Sequence, residues 1–112
     1  MNQKDIRLDL LRKIELNPEY TQRKLSREMG VSLGKVNYCI KKLTKKGLIK
    51  LANFTHNPNK VGYAYLLTPK GIEEKARLTI SFLKRKSIEY EILKKEIDEL
   101  KLESDEMHNK KL

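Results

Sequence analysis

Five lysines, Lys35, Lys41, Lys42, Lys45 and Lys46, fall within twelve residues, and Ser32, Gly34, Asn37 and Tyr38 stand before or among them. Ammonium groups at this density suit a polyanion. An asparagine amide both donates and accepts, so Asn37 suits the paired hydrogen bonds that select adenine, while Lys35 or Lys41 suits guanine and Tyr38 a thymine methyl or a phosphate. Nothing nearby offers covalent chemistry. The chain holds only His56, His108 and Cys39 as imidazole or thiol groups, with no metal-ligand spacing, no nucleophile beside a base and no phosphate-cradling glycine loop. No enzyme activity and no cofactor are therefore expected, and a lone cysteine closes no internal disulfide.

The charge is distributed in a way that points to the same partner. Residues 1–70 hold 15 Lys/Arg against 5 Asp/Glu, whereas residues 71–112 hold 10 of each, so the whole excess of +10 sits in the first part of the 112-residue chain. A basic head before a neutral, charge-rich tail is the pattern of a polyanion-binding domain with a solvated helical extension. A lysine run also serves as a plain solvated face, and composition leaves that alternative open. No stretch approaches the roughly 18 apolar residues of a membrane helix, and the amino terminus lacks a signal peptide's apolar centre, so a cytoplasmic protein is expected.

The elements that must position these groups follow from periodicity. Ile6, Leu10, Leu11 and Ile14 recur at spacings of three and four, which predicts a first helix over residues 4–16 that Asn17 and Pro18 stop. Thr21 is a fitting N-cap for a short second helix with Leu25 and Met29 inward, and Gly30 ends it. Ser32 caps a third helix whose inward positions are Leu33, Val36, Ile40 and Leu43, with Cys39 beside them, and Gly47 closes it. Then "LIKLANF" and "GYAYLLT" read as antiparallel strands joined by the polar tip "THNPNKV". Thr68 and Pro69 start a fourth helix expected to run to about Glu103, with "SDEMHNKKL" as a frayed tail.

That fourth helix is long for so small a core. Ala76, Leu83, Tyr90 and Ile97 repeat every seven residues, Leu93 and Leu100 supply the second row, and Ile80 lies close to it. These seven residues are the expected dimer interface, with Glu91–Lys95 and Lys94–Asp98 pairs on the exposed face. The resulting division is a winged helix-turn-helix domain over residues 1–70, a coiled-coil helix over 71–103 and a disordered tail over 104–112. The fold class expected is mainly α with one small β-hairpin.

A tight turn makes the second and third helices cross steeply and pushes the third outward, where it can enter a major groove. The expected DNA-binding set in α-helical and turn segments is Thr21, Gln22, Arg23, Ser32, Gly34, Lys35, Asn37, Tyr38, Lys41, Lys42 and Lys45. Thr21, Gln22 and Arg23 would anchor a phosphate at the start of the second helix, and Lys42, Lys45 and Lys46 would add sequence-independent attraction. In the wing, His56, Asn57, Asn59 and Lys60 would approach the minor groove or flanking phosphates.

"RKLSREMGVSLGKVNYCIKKLTKKGLI", "YAYLLTPKGIEEKARLTISFLKRK" and "EYEILKKEIDEL" resemble the helix-turn-helix, second wing strand and long helix of the small MarR-type winged-helix regulators associated with exopolysaccharide gene clusters. The resemblance covers about residues 5–102. It implies a bacterial transcriptional regulator of exopolysaccharide synthesis genes that binds double-stranded DNA as a homodimer. The wing "THNPNKVG" lacks the Asp-x-Arg arrangement of typical members, and the chain lacks the helices of their interlocked dimer and phenolic-ligand cleft. A dimer made by the long helix, with no small-molecule effector, is expected instead. An RNA-binding or non-specific nucleic-acid-binding winged helix is the alternative, as is an assembly module built on the coil.

Overall fold

The structure, a computed structural model, describes the backbone of residues 2–57 and 60–111 and, within these, the side chains outside 53–62 and 111. Three helices, a hairpin and a long helix follow one another: α1 (Gln3–Leu16), α2 (Gln22–Met29), α3 (Leu33–Lys45), β1 (Ile49–Asn57), β2 (Lys60–Leu67) and α4 (Pro69–Lys111). This is a winged helix-turn-helix order, mainly α with one hairpin.

The helix ends are set by local chemistry. The side-chain oxygens of Asn2, Thr21 and Ser32 accept the backbone N–H groups of Asp5, Lys24 and Lys35 at 2.8, 3.1 and 3.1 Å, filling orphan donors in the first turns of α1, α2 and α3. Asn17 caps α1 at its far end, returning its N–H to the Lys13 carbonyl. At the end of α3, Gly47 takes φ +74° and donates to the Thr44 carbonyl at 3.0 Å, while the Leu48 N–H reaches the Leu43 carbonyl at 3.0 Å. This pair of bonds is a Schellman motif, and buried Leu48 supplies its accompanying apolar contact.

The core lies where α1 packs on α2 and β2, and α3 on α2 and β1. Leu10, Leu11 and Ile14 of α1, Leu25 of α2, Val36 of α3 and Ile49 of β1 are buried almost completely. Each contributes about 1.5–3 kcal/mol by leaving water. Leu8, outside the apolar row read from the sequence, is also buried. It shares a side of α1 with Glu15, which is paired to Lys75 at 2.8 Å, and the Arg7–Glu74 pair at 3.3 Å runs beside it. The first turns of α4 therefore cover a second side of α1, widening the stripe that one-sided packing would need.

The hairpin is antiparallel, with Ile49 opposite Leu67 and Ala52 opposite Ala64, and its register shifts between Phe54 and Asn57. The Tyr65 N–H ties it to the turn between α1 and α2, donating to the Pro18 carbonyl at 3.0 Å.

Several expectations are corrected. Leu33 remains 39% exposed: it is the first residue of α3, ahead of the point where that helix settles on the core, and the inward row begins at Val36. The strands run further than read, Ile49–Asn57 and Lys60–Leu67, with Asn57 facing Lys60 beyond the register shift. α4 continues to Lys111, past the expected end at Glu103: no glycine or proline follows Gly71, and lysines in the last turn complement the helix dipole. The segment 104–111 is thus helical. Glu91–Lys95 and Lys94–Asp98 pairs do not form among the described residues; Glu89 instead pairs with Lys86 at 3.0 Å and Arg85 at 3.9 Å.

The chain divides into two compact units, Met1–Thr79 and Ile80–Leu112. The head therefore extends beyond residue 70, because Gly71 and Leu78 at the start of α4 are buried in it. Within the second unit no described side chain is buried. At the usual rise the 43 residues of α4 span about 65 Å.

Candidate nucleic-acid interface

The turn between α2 and α3 is clasped from both sides. Gly30, at φ +67°, and Val31 both donate their N–H groups to the Ser26 carbonyl, at 3.0 and 3.3 Å. The Ser26 hydroxyl in turn donates to the Val31 carbonyl at 2.5 Å. A positive φ costs glycine little, and three bonds over so few residues fix the angle at which α3 leaves α2.

α3 then splits into two faces. Val36, Cys39, Ile40 and Leu43 are buried, while Gly34, Tyr38, Lys41 and Lys45 are exposed, with Lys35, Asn37 and Lys42 half-buried between them. The Tyr38 ring stands 54% exposed, with the Lys35 Nζ 5.8 Å and the Lys42 Nζ 5.9 Å from its centroid. The i, i+3 and i, i+4 spacing of a helix places both ammonium groups over one ring, where each gains about 0.5–1 kcal/mol. Tyr38 thus organises the cations around it instead of packing against α2. Tyr38, Lys41, Lys42, Lys45 and Lys46 line one open depression.

Asn37 and Gln22 meet each other. The Asn37 amide donates to the Gln22 side-chain carbonyl at 3.1 Å, and the Gln22 amide donates to the Tyr65 hydroxyl at 3.2 Å. This relay joins α3, the first residue of α2 and β2. Thr21 remains exposed while capping α2, and Arg23 is exposed one residue beyond Gln22.

Three cationic residues that the sequence reading did not name, Arg7, Arg27 and Lys70, stand near the expected ones. Arg27 joins Arg23, Ser26 and Leu33 around an open depression of ≈ 360 Å³. The i, i+4 spacing of Arg23 and Arg27 on α2 was a readable signal for it. Arg7, Lys46 and Lys70 come from three separate segments. The Lys70 ammonium donates to the Lys46 carbonyl at 3.2 Å. Arg7 chiefly, then partial desolvation, Lys42 and Lys70, hold the Lys46 ammonium below its ordinary pKa, against the opposing pull of Glu74. Such crowding marks a locally positive field that a phosphate would relieve. No spacing in the sequence could bring these residues together.

The wing residues are placed only in part. His56, Asn57 and Lys60 lie on the strands next to the tip, with Asn57 opposite Lys60; their side chains, and Asn59 altogether, lie outside the described residues. Of the expected interface set, Ala76, Ile80, Leu83, Tyr90, Leu93, Ile97 and Leu100 are all exposed. Among the described residues no group of three or more His, Cys, Asp and Glu could hold a metal ion, and no helix is long and apolar enough to cross a membrane.

Residues 3–50, which carry α1, α2 and α3, match the family described as winged helix-turn-helix DNA-binding. No curated protein sequence matches the chain. Among solved structures, a ZitR variant of Lactococcus lactis in its apo form is similar at 24% identity and a TM-score of 0.64, over 83% of this chain and 65% of that one. The adhesin competence repressor AdcR of Streptococcus pyogenes is similar at 20% identity and 0.63, over 85% and 66%. FabT of Streptococcus pneumoniae, solved in complex with DNA, is similar at 26% identity and a TM-score of 0.54, over 74% and 56%. This chain spans less than two thirds of the length of each. A MarR family transcription regulator and the transcriptional regulator SlyA are among the further matches, at TM-scores of 0.61 and 0.60. The head, Met1–Thr79, has a winged helix-turn-helix fold, and its first three helices match the winged helix-turn-helix DNA-binding family.

Proposed function

We propose that this protein is a sequence-specific, double-stranded-DNA-binding transcription regulator that reads the major groove with α3 as a homodimer joined through α4. The observation that carries the reading is the division of α3: Val36, Ile40 and Leu43 hold it on the core while Tyr38, Lys41 and Lys45 stand exposed on the opposite face. A helix held rigidly by one face and cationic on the other fits a groove lined by phosphates. FabT, of similar fold, has been solved in complex with DNA, which supports DNA as the partner.

The second part of the proposal concerns targets. The likeness of "VSLGKVNYC", "LKRK" and the coil to exopolysaccharide-associated regulators assigns the genes of exopolysaccharide synthesis to it. Lys42, Lys45, Lys46 and Arg27 supply sequence-independent attraction, and Lys35, Asn37 and Tyr38 the discrimination between bases. No small-molecule effector enters this reading.

The test is selection of bound fragments from sheared genomic DNA at physiological salt with excess non-specific competitor. A shared inverted repeat upstream of polysaccharide genes is the expected result. Enrichment without a common motif overturns sequence-specific regulation and leaves a general nucleic-acid binder; a motif beside unrelated genes removes the polysaccharide assignment alone. Competition between matched DNA and RNA duplexes separates the two polymers.

A further inference from the structure

We propose that the two α4 helices pair in parallel and in register, so that both heads leave the same end of the coil. The inference rests on the dimer reading above and adds its orientation.

Among the described residues, the unit Ile80–Leu112 buries no side chain. Leu83, Tyr90, Leu93, Leu100 and Met107 are 54–64% exposed and Ile97 is 42% exposed. A straight helix that leaves a row of this kind in water across more than three heptads is completed by a second helix. The occupant is identified by the charges that flank the row. With Leu83, Tyr90 and Ile97 as the first core position of each heptad and Leu93 and Leu100 as the second, the flank preceding the first position carries Glu89, Glu96 and Glu103. The opposite flank carries Lys94 and Lys101. One edge of the stripe is acidic and the other basic.

This pattern is self-complementary in only one orientation. In a parallel pair, each flanking residue faces the opposite flank of the next heptad on the other helix, which sets Glu89 against the partner's Lys94 and Glu96 against the partner's Lys101. In an antiparallel pair like flanks face each other, glutamate to glutamate and lysine to lysine, whatever the stagger. Like charges across a coiled-coil seam oppose association, and opposite charges set orientation. Lys94, Glu96, Lys101 and Glu103 have no ion-pair partner among the described residues, so they are available; Glu89 already holds Lys86 and Arg85. Ser104, polar at a core position, adds a preference for register.

Cross-linking reads the orientation directly. Leu83→Cys and Ser104→Cys, made separately in the full chain, place a thiol at a core position near either end of the seam. Identical core positions adjoin in a parallel, in-register coil. Under mild oxidation both variants are expected to shift predominantly to twice the chain mass, with the bond mapped to the introduced residue, while the wild type, whose Cys39 is buried, does not shift. Ser104 lies outside the apolar row, so that variant tests the orientation even where Leu83→Cys weakens the seam. A dimer by sedimentation in which the Ser104→Cys variant does not link overturns the parallel in-register coil. A monomer by sedimentation for the wild type overturns the dimer reading beneath it.

Discussion

The side-chain amide of Asn37 donates to the side-chain carbonyl of Gln22 at 3.1 Å, and Gln22 donates onward to the Tyr65 hydroxyl at 3.2 Å. The residue best suited to read a base is therefore braced by the start of α2 and, through it, by the wing. Tyr65→Phe removes the acceptor at the end of that relay. The expected cost in stability is about 0.5–1.5 kcal/mol, the net value of one neutral hydrogen bond. The effect on discrimination should be larger than the effect on fold, since Gln22 and Asn37 lose their fixed orientation. Urea denaturation and fluorescence anisotropy on cognate and mismatched duplexes measure the two; equal loss on both duplexes would show that Asn37 does not select bases.

Gly71 and Gly34 should respond oppositely to alanine. A Cβ on Gly71 would run into the backbone carbonyl of Leu48, the same carbonyl that accepts the Thr68 N–H at 3.0 Å. Backbone cannot swing aside as a side chain does, so Gly71→Ala is expected to destabilise by about 1–3 kcal/mol or more. At Gly34 nothing lies within 4 Å of the added carbon, and Gly34→Ala should stabilise α3 by up to about 1 kcal/mol. Thermal melts of the two variants give the comparison. If Gly34→Ala nonetheless weakens DNA binding, the glycine is kept for close approach to the groove.

Lys35→Ala combined with Lys41→Ala should abolish specific binding and leave the dimer intact. Lys45→Ala should weaken binding about equally on all sequences, and lower the slope of log affinity against log salt by about 0.9, because one phosphate fewer is neutralised. Salt titrations of each variant check both statements, and silence of the double variant would remove α3 from the interface.

Replacing Tyr90, Leu93 and Ile97 together by polar residues should yield monomers with unchanged heads, because these side chains are exposed and contribute nothing to the head's core. Binding to an inverted repeat should then fall by orders of magnitude, as two half-sites are no longer read together. Sedimentation and anisotropy decide it; a dimer of unchanged affinity would exclude the coil.

Glu74 links stability to pH. Its hydrogen bond and ion pair with Arg77, and its pairing with Arg7, hold its carboxyl below the ordinary glutamate range despite desolvation, which opposes the shift. A depressed folded pKa means that the stabilisation is complete above the unfolded value and is lost as pH falls through the folded one. Acid titration of stability should accordingly fall off below the ordinary glutamate range, and Glu74→Gln should flatten that part of the curve.

The ends of α1, α2 and α3, the helix-turn-helix and the apolar row of α4 were legible in the sequence, because each is governed by neighbours along the chain. Thr21, Ser32, Gly30 and Gly47 act on backbone groups within a few residues, and a heptad needs only its own period. The lysine face of α3 was legible for the same reason, since Val36, Ile40 and Leu43 fix which side faces inward. What the tertiary structure decided lies between segments. Gln22, Asn37 and Tyr65 form one relay from three elements; Arg7, Lys42, Lys46 and Lys70 share one field; and Leu8 is buried because α4 covers a second side of α1. Gly71 looked like an ordinary first-turn residue and is required by the carbonyl of Leu48, 23 positions earlier. Local periodicity carries no record of such encounters, because packing, not the spacing of residues along the chain, brings these groups within reach.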